Sequence, residues 1–98
     1  KTGVSATMRP AFYKDAIMYG YLNGQLEEGS VENLFATIDR LGPAPDQKSR
    51  TDVISVEGTV ATVRVILENP DGSGFTDFHT LLKMDGEWKI ISKVYHQH

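Results

Sequence analysis

An α+β fold, with N-terminal helices packed on a strongly curved antiparallel β-sheet, is what the sequence predicts. Three observations predict it. Val31, Leu34, Phe35, Ile38 and Leu41 recur at the spacing of one helical stripe. From Arg50 the apolar period changes to two and stays there, which is the period of half-buried strands. Between the alternating runs stand two tight-turn dipeptides, Glu57-Gly58 and Asp85-Gly86, and the longer turn Pro70 to Gly74. Four meandering strands with one apolar face need a cover, and the single-striped helix supplies it.

The C-terminal hairpin sets the register. With Asp85 and Gly86 as the two loop residues, Met84 faces Glu87, and stepping back pairs Lys83 with Trp88, Leu81 with Ile90, His79 with Ser92, Asp77 with Val94 and Phe75 with His96. The two earlier turns add Val63 opposite Leu81, Val65 opposite His79, Leu67 opposite Asp77 and Ile54 opposite Ala61, all on the same face. The other face then carries Thr62, Arg64, Ile66 and Glu68 beside Phe78, Thr80, Leu82, Lys89, Ile91, Lys93 and Tyr95.

Upstream, Val4 and Met8 stand at helical spacing between Gly3 and Pro10 and predict a short helix. Pro10 to Leu26 is dense in aromatics, and Gly20 and Gly24 interrupt a long helix, so the expectation is an irregular segment with a short strand over Ala16 to Tyr21. Ser30 is the expected N-cap of the helix that carries the Val31 to Leu41 stripe, with Glu32 in its first turn and Gly42-Pro43 as its stop. GPAPDQKS reads as a connecting loop.

The chain has 98 residues, enough for one domain and one core. A net charge of −3, with no basic cluster, argues against nucleic acid. The absence of cysteine rules out a disulfide framework and a thiolate nucleophile. No run reaches the length of a membrane span and no signal peptide is visible, so a cytoplasmic, membrane-free protein is expected. The chain opens on Lys1, and a missing N-terminal segment is part of the expectation.

The order of short helix, GY..G.L segment, capped helix and a meander ending FTDF..LLK.DG.WKII.KVYH resembles the nuclear transport factor 2-like superfamily. Within it, the chain is similar to the small bacterial proteins labelled putative lumazine-binding. Phe75, Thr76, Asp77, Phe78, Leu81, Leu82, Lys83, Asp85, Gly86, Trp88, Lys89, Ile90, Ile91, Lys93, Val94, Tyr95 and His96 carry the resemblance, with Ala16, Gly20, Gly24 and Leu26 in looser agreement. It implies a cone-shaped fold with a pocket between curved sheet and helices, one further N-terminal helix, and commonly a homodimer made through the outer sheet face. None of the superfamily's catalytic sets transfers onto this chain residue by residue.

An apolar face on which a few polar groups converge describes a ligand site for a small hydrophobic or aromatic molecule. Its expected lining is Tyr13, Tyr19, Val65, Leu81, Trp88 and Ser92, with Asp77 and His79 as the catalytic pair: a carboxylate two residues from an imidazole can orient it as a general base, for proton transfer beside a carbonyl or for dehydration. The competing reading makes Asp77 a backbone-bonding group and His79 a satisfied core histidine, in a structural or interaction domain that works through its outer face. No metal or cofactor is expected, since no acidic residue completes a spacing motif with His96 and His98. The outer face, with Ile66, Phe78, Thr80, Leu82, Ile91 and Tyr95, is expected to pair with a second copy.

Overall fold

The computed structural model describes residues 4–42 and 46–98. Its strands are β1 (Phe12–Leu22), β2 (Gln25–Ser30), β3 (Lys48–Glu57), β4 (Val60–Glu68), β5 (Gly74–Met84) and β6 (Glu87–Gln97), and its α-helix is α1 (Glu32–Leu41). They form a six-stranded sheet in the order β2-β1-β6-β5-β4-β3. Every neighbouring pair is antiparallel except β1 with β6, which is parallel, so the sheet is mixed rather than purely antiparallel.

The predicted plural of helices is corrected to one α-helix among the described residues. Val4–Thr7 and Arg9–Ala11 are 3₁₀ turns, and the first three residues of the expected Lys1 to Arg9 helix lie outside the described residues. Pro10 lies in the second turn, where its missing N–H leaves no helical bond unmade. Residues 43–45 of the expected loop also lie outside the description, and Lys48 and Ser49 already belong to β3.

The larger correction lies in residues 12–30. Asn23 (φ 52°) and Gly24 (φ 82°) are both left-handed, the pair of angles that closes a two-residue hairpin between β1 and β2. A glycine that reads as a helix interruption is here the second residue of a turn. Alternation then governs β1: Ala16, Met18 and Gly20 are buried while Ile17, Tyr19 and Tyr21 are exposed.

The helix starts one residue later than expected: its N-cap is Val31, with no side-chain cap bond, and not Ser30. The Ser30 hydroxyl still accepts the Glu32 N–H at 3.1 Å from just outside the helix, and the Gly42 N–H closes the last turn on the Ile38 carbonyl. Its stripe buries Phe35 against Ala16 and Val31, with Met8, Phe12, Tyr13 and Leu34 packed around them. Arg9 closes this core from outside, its guanidinium 4.4 Å above the Phe35 ring and bonded twice to Glu32 at 2.7 and 2.8 Å. The Ser5 amide and hydroxyl each donate to Asp39 at 2.8 Å, which ties the first turn to α1 and holds that carboxyl below its usual range.

The Asp85-Gly86 hairpin has the predicted register as far as Leu81 opposite Ile90. There it breaks. Ile91 is an extra residue, so Thr80 faces Ser92, His79 faces Lys93, Asp77 faces Tyr95 and Phe75 faces Gln97. In β3 the extra residue is Ile54, between Val53 opposite Val63 and Ser55 opposite Thr62. The first meander turn uses Gly58 and Thr59, with Glu57 opposite Val60, which slides β3 and places Val56 rather than Ile54 opposite Ala61. Between β4 and β5, Val63 faces His79 and Val65 faces Asp77, two residues from the expected partners but on the same face.

The turned-in half of β6 meets β1 directly. Gly20 lies opposite Tyr95, and a Cβ there would stand 2.6 Å from the Tyr95 ring, so the phenol covers the bare glycine. Gly20→Ala should therefore cost about 1–3 kcal/mol in urea melts, and most of that cost should disappear when Tyr95→Ala is made in the same chain. Simple additivity of the two substitutions would remove this account of the glycine.

Candidate functional site

Two neighbouring strands put titratable side chains on the concave face. On β5 the period of two aims Asp77 and His79 the same way, and on β6 the bulge at Ile91 turns Lys93 and Tyr95 to meet them. Val63 and Val65 of β4 flank them on one side, Met18 and Gly20 of β1 on the other. Phe12 closes the cluster towards the helix. Its ring packs edge-on against Phe35 at 5.4 Å and lies 6.0 Å from the His79 ring.

At the centre is the Asp77 carboxylate, whose side chain is only 4 % exposed. Its Oδ2 lies 3.4 Å from Lys93 Nζ and 3.8 Å from His79 Nε2, both of them 12 % exposed side chains. Charge-assisted N–H···O bonds are about 2.7–2.9 Å long, so neither partner is fully seated on the carboxylate. Asp77 Oδ1 and His79 Nε2 are buried without a hydrogen-bond partner among the described residues. Buried polar atoms with open valences are uncommon and mark places where a further group can bind.

Tyr95 stands beside the carboxylate, its ring 5.6 Å from Lys93 Nζ and edge-on to Phe75. Burial pushes the phenol above the ordinary tyrosine range, and the carboxylates of Glu27 and Asp77 add to the effect. The neutral O–H is thus favoured as a donor.

Of the residues expected to line the site, Asp77, His79 and Val65 are brought together. Leu81 shares their face opposite Ile90, and Trp88 lies at the rim opposite Lys83, whose ammonium is 6.0 Å from its ring. Tyr13 packs on the hydrophobic core. Ser92 and Tyr19 are not brought in: Ser92 pairs with Thr80 and Tyr19 with Val94, on the opposite face. Unbroken alternation places Lys93 and Tyr95 on the outer face, and the bulge brings them here instead. The signal that could have found them is the apolar doublet Ile90-Ile91, and Val53-Ile54 marks the β3 bulge in the same way. His96 pairs with Thr76 and its ring meets that of His98 at 5.0 Å, away from His79. A separate open depression of about 580 Å³, lined by Asp46, Gln47, Lys48, Glu68, Asn69, Pro70 and Gly72, does not reach the cluster. Among the described residues no helix is long and apolar enough to cross a membrane.

A curved sheet wrapped on one side by a helix, with a polar cluster on its concave face, is the architecture of nuclear transport factor 2-like proteins. Within that class the chain belongs to the family described as "Putative lumazine-binding", whose model matches residues 1–96. A solved structure from Methylobacillus flagellatus, an NTF2-like protein of unknown function, is 39 % identical, superposes with a TM-score of 0.90 and covers 100 % of this chain and 79 % of its own. Another of the same description, from Shewanella baltica, is 38 % identical with a TM-score of 0.86, over 96 % of this chain and 77 % of its own. A protein from Cladobotryum sp. named aldolase FrzH is 36 % identical over 97 residues, 98 % of this chain and 78 % of the relative.

The Tyr95 phenol carries a pH expectation. A proton affinity raised by folding contributes stability that is whole below the ordinary tyrosine value of 10.0 and is lost as the pH climbs through the higher folded value. Melting temperatures of the parent should fall faster above about pH 10 than those of Tyr95→Phe. Parallel profiles would show that the phenol is as well solvated folded as unfolded.

Proposed function

We propose that the protein binds a small carbonyl compound on its concave face and moves a proton at the carbon beside the carbonyl, in a reaction of enolisation, aldol or dehydration type. The observation that carries this reading is the buried cluster of Asp77, His79 and Lys93 with open valences on Asp77 Oδ1 and His79 Nε2. The imidazole takes the α-proton, the carboxylate orients it, and the Tyr95 hydroxyl or Lys93 ammonium stabilises the negative charge that develops on the carbonyl oxygen. Val65, Leu81 and Trp88 offer the apolar surface on which a hydrophobic or aromatic substrate would lie. The aldolase name of the Cladobotryum relative supports a carbonyl substrate, since aldol chemistry begins with loss of that same proton.

Thermal-shift screening of cyclic and aromatic ketones should find stabilising ligands, because binding to the native state raises the melting temperature whatever follows. For the hits, exchange of α-protons in D₂O, followed by NMR, should fall about 10²–10⁴-fold in His79→Ala. Exchange untouched by that substitution would end the reading.

A second reading concerns the outer face, where one row across the sheet runs Tyr19, Val94, Phe78, Arg64 and Asp52. Phe78 is 47 % and Val94 49 % exposed, with Ile17 and Tyr21 exposed beside them. Arg64 donates to Asp52 at 2.9 Å and fixes the charged end of the row. We infer that a second copy covers the apolar end, burying about 1,200–2,000 Å². On this reading the face is a docking surface, and it is compatible with an interaction domain that does no chemistry. Light scattering should give a dimer for the parent and a monomer or aggregate for Phe78→Glu with Val94→Lys. A parent that is monomeric at tens of micromolar would defeat it.

A further inference from the structure

We propose that Lys93 is a nucleophilic amine that joins the substrate as an imine, an inference that rests on the carbonyl reading above and names the covalent step within it. A lysine serving solubility alone would keep its ammonium in water, whereas the extra residue at Ile91 turns Lys93 onto the concave face, where its side chain is 12 % exposed. Its neighbours there suit the chemistry. Asp77 Oδ2, 3.4 Å away, is a group that can take the ammonium's proton, and Asp77 Oδ1 is unengaged. The 3.4 Å separation is longer than a seated ammonium–carboxylate bond of about 2.7–2.9 Å, so Nζ is not locked into a closed ion pair, and proton transfer needs the two groups to close by about half an ångström. His79 is the cross-strand partner of Lys93, and its Nε2 lies 3.8 Å from the same Asp77 oxygen, so both side chains converge on one carboxylate.

The step balances without oxidant or reductant. Lys93 passes a proton to Asp77, and the Nζ lone pair attacks the carbonyl carbon while the C=O π electrons move to oxygen. A proton shifts from nitrogen to that oxygen, which gives the carbinolamine. Asp77 returns its proton to the hydroxyl, the C–O bond breaks, water leaves, and nitrogen and carbon share a double bond as an iminium. His79 then removes the α-proton, the C–H electrons form the enamine C=C, and the iminium electrons return to nitrogen. The enamine carbon is reprotonated or attacks a second carbonyl, and water releases Lys93.

The test is reductive trapping on the intact chain, with cyclohexanone as the probe and sodium cyanoborohydride as the reductant, followed by peptide mapping. A secondary amine should accumulate at Lys93 at least about tenfold faster than at the exposed Lys14, Lys48 and Lys83, and Asp77→Asn should slow it by a similar factor. Lys93→Arg keeps the positive charge and should leave no adduct at that position. Circular dichroism checks its fold, and if it does not fold, the mapping on the unsubstituted chain still identifies the reacting lysine. Labelling no faster at Lys93 than at the surface lysines overturns the imine. Should His79-dependent proton exchange persist in that case, the carbonyl reading survives and Lys93 acts by charge alone. Loss of both signals fails both readings, while trapping at Lys93 without His79-dependent exchange upholds the imine and removes the assignment of the base.

Discussion

Strand β6 carries one residue more than β5 between Ile90 and Ser92, and side-chain alternation turns that single residue into a change of face for everything downstream. Before it, Trp88 and Ile90 follow the hairpin register. Beyond it, Lys93 and Tyr95 face inward and Ser92, Val94 and His96 face outward. Both surfaces of the molecule are set by this event. The concave side gains an amine and a phenol beside Asp77, and the convex side gains the apolar Val94 between Tyr19 and Phe78.

The same bulge links the site to the core. Tyr95 can lie flat against β1 because residue 20 has no Cβ, and Met18, one pleat away, lies beside Lys93. From the other direction Phe12 packs T-shaped on Phe35 and tilted on His79, so the hydrophobic cluster around Phe35 continues directly into the titratable groups. A small domain has limited stability to spare, and open valences on a buried carboxylate and imidazole lower it further. The Ser5–Asp39 and Arg9–Glu32–Phe35 ties offset part of that by fastening the N-terminal turns over the helix.

What could be read from the residues alone follows the strength of each local signal. The helix, with its stop at Gly42, and the Asp85-Gly86 turn were legible to within a residue, because end signals and left-handed turn geometry act within a few residues, though the cap falls on Val31 rather than Ser30. Strands β3 to β6 were legible as strands, and Asp77 and His79 as neighbours, because period two on one strand needs no partner. The β1–β2 hairpin is hidden in the sequence because Gly24 fits a helix interruption as well as it fits the second turn residue after Asn23. Lys93 and Tyr95 were hidden because alternation was carried unbroken through Ile90-Ile91. Curvature of the sheet, which calls for such bulges, is a property of all six strands together and is written in neither dipeptide alone.

Inward and outward side chains exchange roles along β6 by count, not by identity, and this has an evolutionary corollary. Deleting one residue of the Ile90-Ile91 doublet would bring Ser92, Val94 and His96 to the concave side and send Lys93 and Tyr95 to the convex one, without altering any other letter of the strand. A single codon gained or lost can therefore exchange a lysine-and-tyrosine site for a serine-and-histidine one, and rewrite the exposed surface in the same event. Relatives of this fold can diverge in chemistry by insertion and deletion as well as by substitution. An alignment that slides a gap past this position would equate residues that stand on opposite sides of the sheet.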